Sequence, residues 1–132
     1  MPGYSPKPLV KKLGIKPGSK ILLLNAPEEY FDWLETLPED VRVLENANSA
    51  QPDFIHLFAK SKKELIIGLD LAREIIAKKG MIWVSWYKKA AKIPTDVTED
   101  TIREVALPNG LVDIKVCAVT EQWSGLKLVW RK

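Results

Sequence analysis

One cysteine, Cys117, and one histidine, His56, stand in a chain of 132 residues. A lone cysteine excludes an intrachain disulfide and suits a reducing compartment. One Cys and one His far apart in the chain also cannot make up a zinc-type ligand cluster. No apolar run approaches membrane-spanning length, and the start, MPGYSPKPLVKKLG, lacks the apolar core of a signal peptide, so a cytoplasmic protein with no membrane contact is expected. Walker-type, EF-hand and G-x-S-x-G patterns are missing as well. The most telling absence is of glycine. Ile21-Leu22-Leu23-Leu24 is followed by Asn25-Ala26-Pro27-Glu28-Glu29, and no glycine occurs from Asn25 to Leu37. A nucleotide-binding sheet would place a glycine-rich turn there, so that backbone could approach a phosphate or ribose.

What is present is ordinary for a globular chain: 46% hydrophobic and 28% charged residues, enough for one domain over residues 1–132 with a real core. The net charge of +3 is too mild to mark a nucleic-acid binder. It is unevenly placed: residues 1–52 hold 6 Lys and Arg against 7 Asp and Glu, residues 53–132 hold 14 against 10.

Along the chain, Ser5 caps a short first helix with Pro6 in its first turn and Gly14 closing it, its buried side being Leu9, Val10 and Leu13. The Pro17-Gly18 turn leads to a wholly apolar strand, about Lys20 to Leu24, of the kind buried on both faces. Pro27-Glu28-Glu29 starts a helix running to about Leu37, because proline is tolerated in the first turn and carboxylates suit the positive end of the helix dipole. Val41 to Glu45 is a short strand, Asn46 to Pro52 a polar loop, and Asp53 to Ala59 a third strand. Ser61-Lys62-Lys63-Glu64 has the capping-box pattern. Leu65, Leu69, Ala72 and Ile76 then recur at helical spacing up to Lys78-Lys79-Gly80, read as a basic, glycine-capped stop. Met81 to Trp86 is a fourth strand. Tyr87 to Val97 is a loop, and Thr98, with Glu99 and Asp100 behind it, caps a helix broken at Pro108-Asn109-Gly110. Leu111 to Val119 and Lys127 to Trp130 pair as a hairpin through Glu121 to Gly125.

Strands alternating with helices predict an α/β fold: a three-layer Rossmann-like, mostly parallel sheet with a C-terminal antiparallel hairpin. The order of elements resembles a shortened class I methyltransferase. Lys12-Leu13-Gly14-Ile15, Leu57-Phe58, Trp83 through Lys89, Gly110-Leu111-Val112-Asp113 and Trp123 through Lys127 are similar to segments of a small bacterial family of unknown function with that fold. The resemblance implies a fold and carries no activity with it.

In such a sheet, ligands bind outside the carboxyl ends of the strands where strand order reverses, here between the first and third strands. Asn25, Ala26 and Pro27 would line that crevice, with Glu45, Lys60 and Ser61. By fold position, Asn25, Ala26 and Glu45 are the candidate cofactor contacts. The methyltransferase resemblance implies that Glu45 would grip the ribose of S-adenosylmethionine. That cofactor is disfavoured, since Pro27 removes an amide donor and Glu28 and Glu29 oppose an anion at the helix end.

Lysines at the ends of the third and fourth strands form the second candidate. Lys60, Lys62 and Lys63, then Lys88, Lys89 and Lys92, would lie on one edge beside Trp86 and Tyr87. Lys60, Lys63, Lys88 and Lys89 are the expected anion contacts, against the simpler reading that lysines solvate loops. His56, alternating with Phe54 and Phe58, reads as a packed, hydrogen-bonded core residue, and Cys117 as a small buried hydrophobe. Ser85, Thr95, Asp96 and Ser124 complete the polar candidates. Of five tryptophans, Trp83 is expected in the core, while Trp33, Trp86, Trp123 and Trp130 are open. Were the hairpin a true edge, Trp130 would be placed for a homodimer contact. The expected function is a non-catalytic binding or regulatory protein with an anionic ligand or a protein partner. The rival is an atypical small methyltransferase or another nucleotide-using enzyme.

Overall fold

The computed structural model describes residues 8–46 and 50–131. One six-stranded sheet carries the fold: β1 (Lys20–Leu24), β2 (Arg42–Leu44), β3 (Phe54–Phe58), β4 (Met81–Tyr87), β5 (Leu111–Ala118) and β6 (Trp123–Trp130). Their spatial order is β2-β1-β3-β4-β6-β5. The first four are parallel, and β6 runs antiparallel to both β4 and β5. This is the expected mostly parallel sheet with an antiparallel C-terminal pair, and the order reverses between β1 and β3.

Side-chain alternation separates two helical layers. On one face, Leu22, Ile55, Leu57 and Val84 pack under α3 (Lys62–Ile75) and α4 (Glu99–Ala106). On the other, Ile21, Phe54, Phe58 and Trp83 pack under α1 (Leu9–Leu13) and α2 (Tyr30–Leu34). β3 is buried at every position, as a central strand covered on both sides must be.

α1 closes at Gly14, whose φ of 83° needs no Cβ. The expected cap at Ser5 and Pro6 lies outside the described residues, as does part of the Asn46–Pro52 loop. α2 is shorter than the sequence indicates. Pro27 to Glu29 form a turn, with the Tyr30 amide donating to the Pro27 carbonyl, and Glu35 at φ 65° ends the helix before Leu37. No side chain caps its start, so little holds further turns in place.

α3 starts at Ser61, whose hydroxyl accepts from the Glu64 amide at 3.2 Å. The Glu64 carboxylate reaches one residue further back than a capping box requires and accepts from the Lys60 amide at 2.8 Å. The helix ends at Ile75, before Lys78-Lys79-Gly80, since Ile76 is already extended. Gly80 is there for space: a Cβ would lie 2.9 Å from the Asp53 carbonyl oxygen. α4 begins at Thr98 as expected, in a reciprocal cap with Thr101.

The hairpin is longer than expected. β6 begins at Trp123, so Trp123-Ser124-Gly125, read as connection, is strand. Gly125 pairs with Ser85, and a Cβ on it would stand 3.1 Å from Trp83. The bulky Trp83, which donates from Nε1 to the Leu13 carbonyl at 2.8 Å, takes the room that a side chain would need. β5, not the strand bearing Trp130, is the sheet edge. A register shift between Asp113 and Lys115 breaks its pairing, a common way to blunt an exposed edge. Trp83, Trp86 and Trp123 are buried, and Trp33 and Trp130 are half-buried. No helix among the described residues is long and apolar enough to cross a membrane.

Candidate functional site

β1 delivers Asn25 to the point where strand order reverses. Asn25 has φ 59°, the left-handed conformation that asparagine tolerates better than other non-glycine residues. The chain therefore turns off β1 much as a glycine would turn it, with an exposed polar side chain added. Beside it a groove of about 320 Å³ is lined by Leu24, Asn25, Lys63, Glu64, Ile67 and Leu71. Its floor is Gly68, where α3 comes so near β3 that a Cβ would meet Leu57 at 2.4 Å. The groove is mainly aliphatic: Ile67 stays 60% exposed and Leu71 43%.

The predicted cofactor residues divide here. Asn25 lines the groove. Ala26 is half-buried against the cluster beneath α2. Glu45 is exposed just past β2 and is not among the groove's walls.

The lysines divide too. Lys63 lines the groove. Lys60 is exposed on the turn between β3 and α3, which is tied to the loop before α4: Thr95 Oγ1 donates to the Lys60 carbonyl at 2.7 Å, and the Lys62 amide donates to Asp96 Oδ1 at 2.8 Å. Glu64 and Asp96 thus interrupt the lysines following β3. Lys88 follows the hairpin instead, its amide donating to the Gln122 carbonyl at 2.9 Å, while exposed Lys89 opens a single 3₁₀ turn. Cys117, half-buried, has Lys12, Lys115 and Lys88 near it; burial nonetheless raises its thiol pKa, the three lysines only opposing that.

The feature that the sequence conceals is a buried polar chain beneath the same end of the sheet. His56 Nδ1 lies 2.8 Å from the Tyr30 hydroxyl, and His56 Nε2 lies 2.7 Å from Ser85 Oγ. All three residues are buried. Burial lowers the His56 pKa to about 3, so the ring is neutral near pH 7 and gives one hydrogen bond while accepting the other. Burial, seconded by Cys117, raises the Tyr30 pKa and keeps the phenol protonated. The ring stacks on Phe58 at 4.5 Å, and Phe58 meets Tyr30 and Trp123 edge-on. Tyr87 stacks on Trp123 at 4.1 Å and extends this aromatic seal. A serine beside a histidine is the beginning of a nucleophile, but a nucleophile must meet its substrate, and this one is sealed. The core reading of His56 is the one that the structure bears out. Strand alternation alone puts His56 with Phe54 and Phe58, but no local signal connects it to Tyr30 or Ser85.

Among the described residues, no group of three or more His, Cys, Asp or Glu side chains is placed to hold a metal.

Several solved structures that share this fold are methyltransferases. A SAM-dependent methyltransferase from Aquifex aeolicus superposes with a TM-score of 0.66 at 15% identity, over 96% of this chain and 89% of that one. Aeropyrum pernix fibrillarin, solved with natively bound S-adenosyl-L-methionine, gives 0.61 at 12% identity, over 96% of this chain and 70% of its own. The ribosomal protein L11 methylase of Lactobacillus delbrueckii subsp. bulgaricus gives 0.58 at 11% identity, over 94% and 76%. At these identities the likeness establishes a shared fold, a methyltransferase-like Rossmann sheet, and nothing finer. No curated protein sequence matches the chain. Residues 34–132 match the family described as "Protein of unknown function (DUF3052)", and the chain belongs to that family.

Proposed function

We propose that this chain is a non-catalytic binding module on a methyltransferase-like scaffold. The observation that carries this reading is the separation of Asn25 from Glu45. Among the described residues, Glu45, the carboxylate that would have to share one cofactor with the Asn25 turn, is not in the wall of the groove that Asn25 lines. The groove beside Asn25 is instead an aliphatic slot with Lys63 and Glu64 at its wall, suited to a mainly apolar group whose charged end Lys63 can meet. Lys60 on the adjoining turn, and Lys88 and Lys89 past β4, are further cations for an anionic group, with Glu64 and Asp96 set among those that follow β3. Methyl transfer depends chiefly on holding donor and acceptor in line, so a scaffold that does not grip the donor gains little from its remaining side chains.

The rival reading, an atypical S-adenosylmethionine-dependent methyltransferase with Glu45 on the ribose, has one observation in its favour: Asn25 keeps the left-handed turn without a glycine. Thermal unfolding with S-adenosylmethionine and S-adenosylhomocysteine separates the two. A ligand at a hundred times its dissociation constant adds about 2.7 kcal/mol, a shift of several degrees. No shift with either compound is expected. A clear rise, lost in Glu45→Ala, would establish the methyltransferase reading.

A further inference from the structure

Lys78-Lys79-Gly80, which the sequence presents as a helix stop, lies beyond the end of α3 and borders a cavity of about 700 Å³. The cavity sits at the amino ends of the parallel strands, opposite the groove beside Asn25. Four cations, Arg73, Lys78, Lys79 and Arg131, line it against a single carboxylate, Glu74, and the half-buried indole of Trp130 forms part of its wall. Its volume falls in the usual range for small-molecule sites, about 300–1,000 Å³.

We propose that this cavity binds a nucleoside phosphate, with the base against Trp130 and the phosphates among Lys78, Lys79 and Arg131. Three observations support it. First, the charge of the two lysines is not paired. Among the described residues neither lysine has a carboxylate partner within ion-pair distance. The α3 carboxyl end adds only about half a negative charge, which with Glu74 leaves the cavity clearly positive.

Second, the arginines are positioned but not used up. Arg73 gives one amino group to Asp70 at 2.9 Å, and Arg131 gives one to the Leu107 carbonyl at 2.9 Å. A guanidinium has five N–H donors in a rigid fork, so each retains donors for a phosphate.

Third, the lysines stand on an ordered turn. The Ala77 amide donates to the Pro52 carbonyl, the Gly80 amide to the Ala77 carbonyl, and Gly80 rests against the Asp53 carbonyl too closely for any side chain. Trp130 is set by its pairing with Leu111 and by Gly110, where a Cβ would stand 3.5 Å from the indole. Aromatic stacking contributes about 1–3 kcal/mol per base and tolerates any base, whereas the cations require the phosphates.

Calorimetric titration with ADP tests the proposal, with adenosine and inorganic pyrophosphate as half-ligands. Saturable ADP binding is expected, with both half-ligands weaker. Lys78→Gln/Lys79→Gln should weaken it by about tenfold or more, as loss of charged hydrogen bonds does. Lys11→Gln/Lys16→Gln removes the same charge at exposed positions outside both this cavity and the Asn25 groove and should leave ADP affinity unchanged. All four lysines are exposed, so both variants should fold. A 5′-phosphorylated oligonucleotide forms a separate arm: binding there that the Lys78→Gln/Lys79→Gln change abolishes assigns the same site to a chain end as well as to a free nucleotide. Absence of saturable binding in both arms, equal loss in both variants, or pyrophosphate binding as tightly as ADP would overturn the proposal.

Discussion

His56 Nε2 lies 2.7 Å from Ser85 Oγ, joining β3 to β4 through two side chains that have no contact with solvent. With the Tyr30 hydroxyl on the opposite ring nitrogen, the imidazole has both of its hydrogen-bonding positions occupied.

That arrangement makes stability depend on pH in a defined direction. In the unfolded chain His56 titrates near its ordinary value of 6.5, while in the folded protein burial lowers it to about 3. Between those values the unfolded state binds one more proton than the native state. The contribution of this residue is therefore full above pH 6.5 and is lost as pH falls toward 3, at up to about 1.4 kcal/mol per pH unit. Urea unfolding from pH 7.5 to 4 should show that slope on top of the carboxylate contribution. His56→Gln should lower stability but remove this part of the slope. An unchanged slope in the variant would show that His56 does not titrate in this way.

Tyr30→Phe keeps the ring that packs on Phe58 and removes only the hydroxyl, leaving His56 Nδ1 buried without its partner. A loss of about 1–3 kcal/mol in urea unfolding is expected. Ser85→Ala should do the same at Nε2, and the double variant should lose less than the two losses added, because the ring couples the two sites.

Gly68→Ala sets two effects against each other. Alanine favours an exposed helix interior by about 1 kcal/mol over glycine. Here the new methyl would fall 2.4 Å from Leu57 in a packed core, and overpacking costs about 1–3 kcal/mol. Net destabilisation is expected, with partial recovery in Gly68→Ala/Leu57→Val. A stabilised single variant would show that α3 sits further from β3 than described.

At Asn25 the left-handed backbone predicts an order of substitutions. Asn25→Gly should be neutral or slightly stabilising, and Asn25→Val should lose about 1–2 kcal/mol, the cost of that conformation for a side chain branched at Cβ. Equal stability of the two variants would remove the conformational role assigned to Asn25.

The candidate site was only partly legible in the sequence. Asn25 is legible as a crevice residue, because the switch point follows from strand order alone; that Lys63, read as one of the lysines after β3, lines the same groove depends on how α3 lies over the sheet. Glu45 is a candidate by its place at the end of β2, yet whether it reaches that groove depends on how the chain leaves the edge strand. Tyr30 carries no signal in the sequence, being one aromatic among several in EEYFDWL. The cavity beside Lys78 and Trp130 joins segments more than fifty residues apart, and a basic helix stop gives no sign of it.

What the sequence determined by itself is what local chemistry encodes. Apolar runs made β1 and β3 central strands, Ser61 and Thr98 started α3 and α4, and Gly14 ended α1. Each rests on contacts within a few residues. The tertiary structure alone decided where chain segments meet: that Tyr30, His56 and Ser85 form one closed chain, that Gly68, Gly80 and Gly125 serve close packing, and that the hairpin extends to Trp123. Those outcomes depend on strand register and on atoms competing for the same space in a dense core, which no local pattern records.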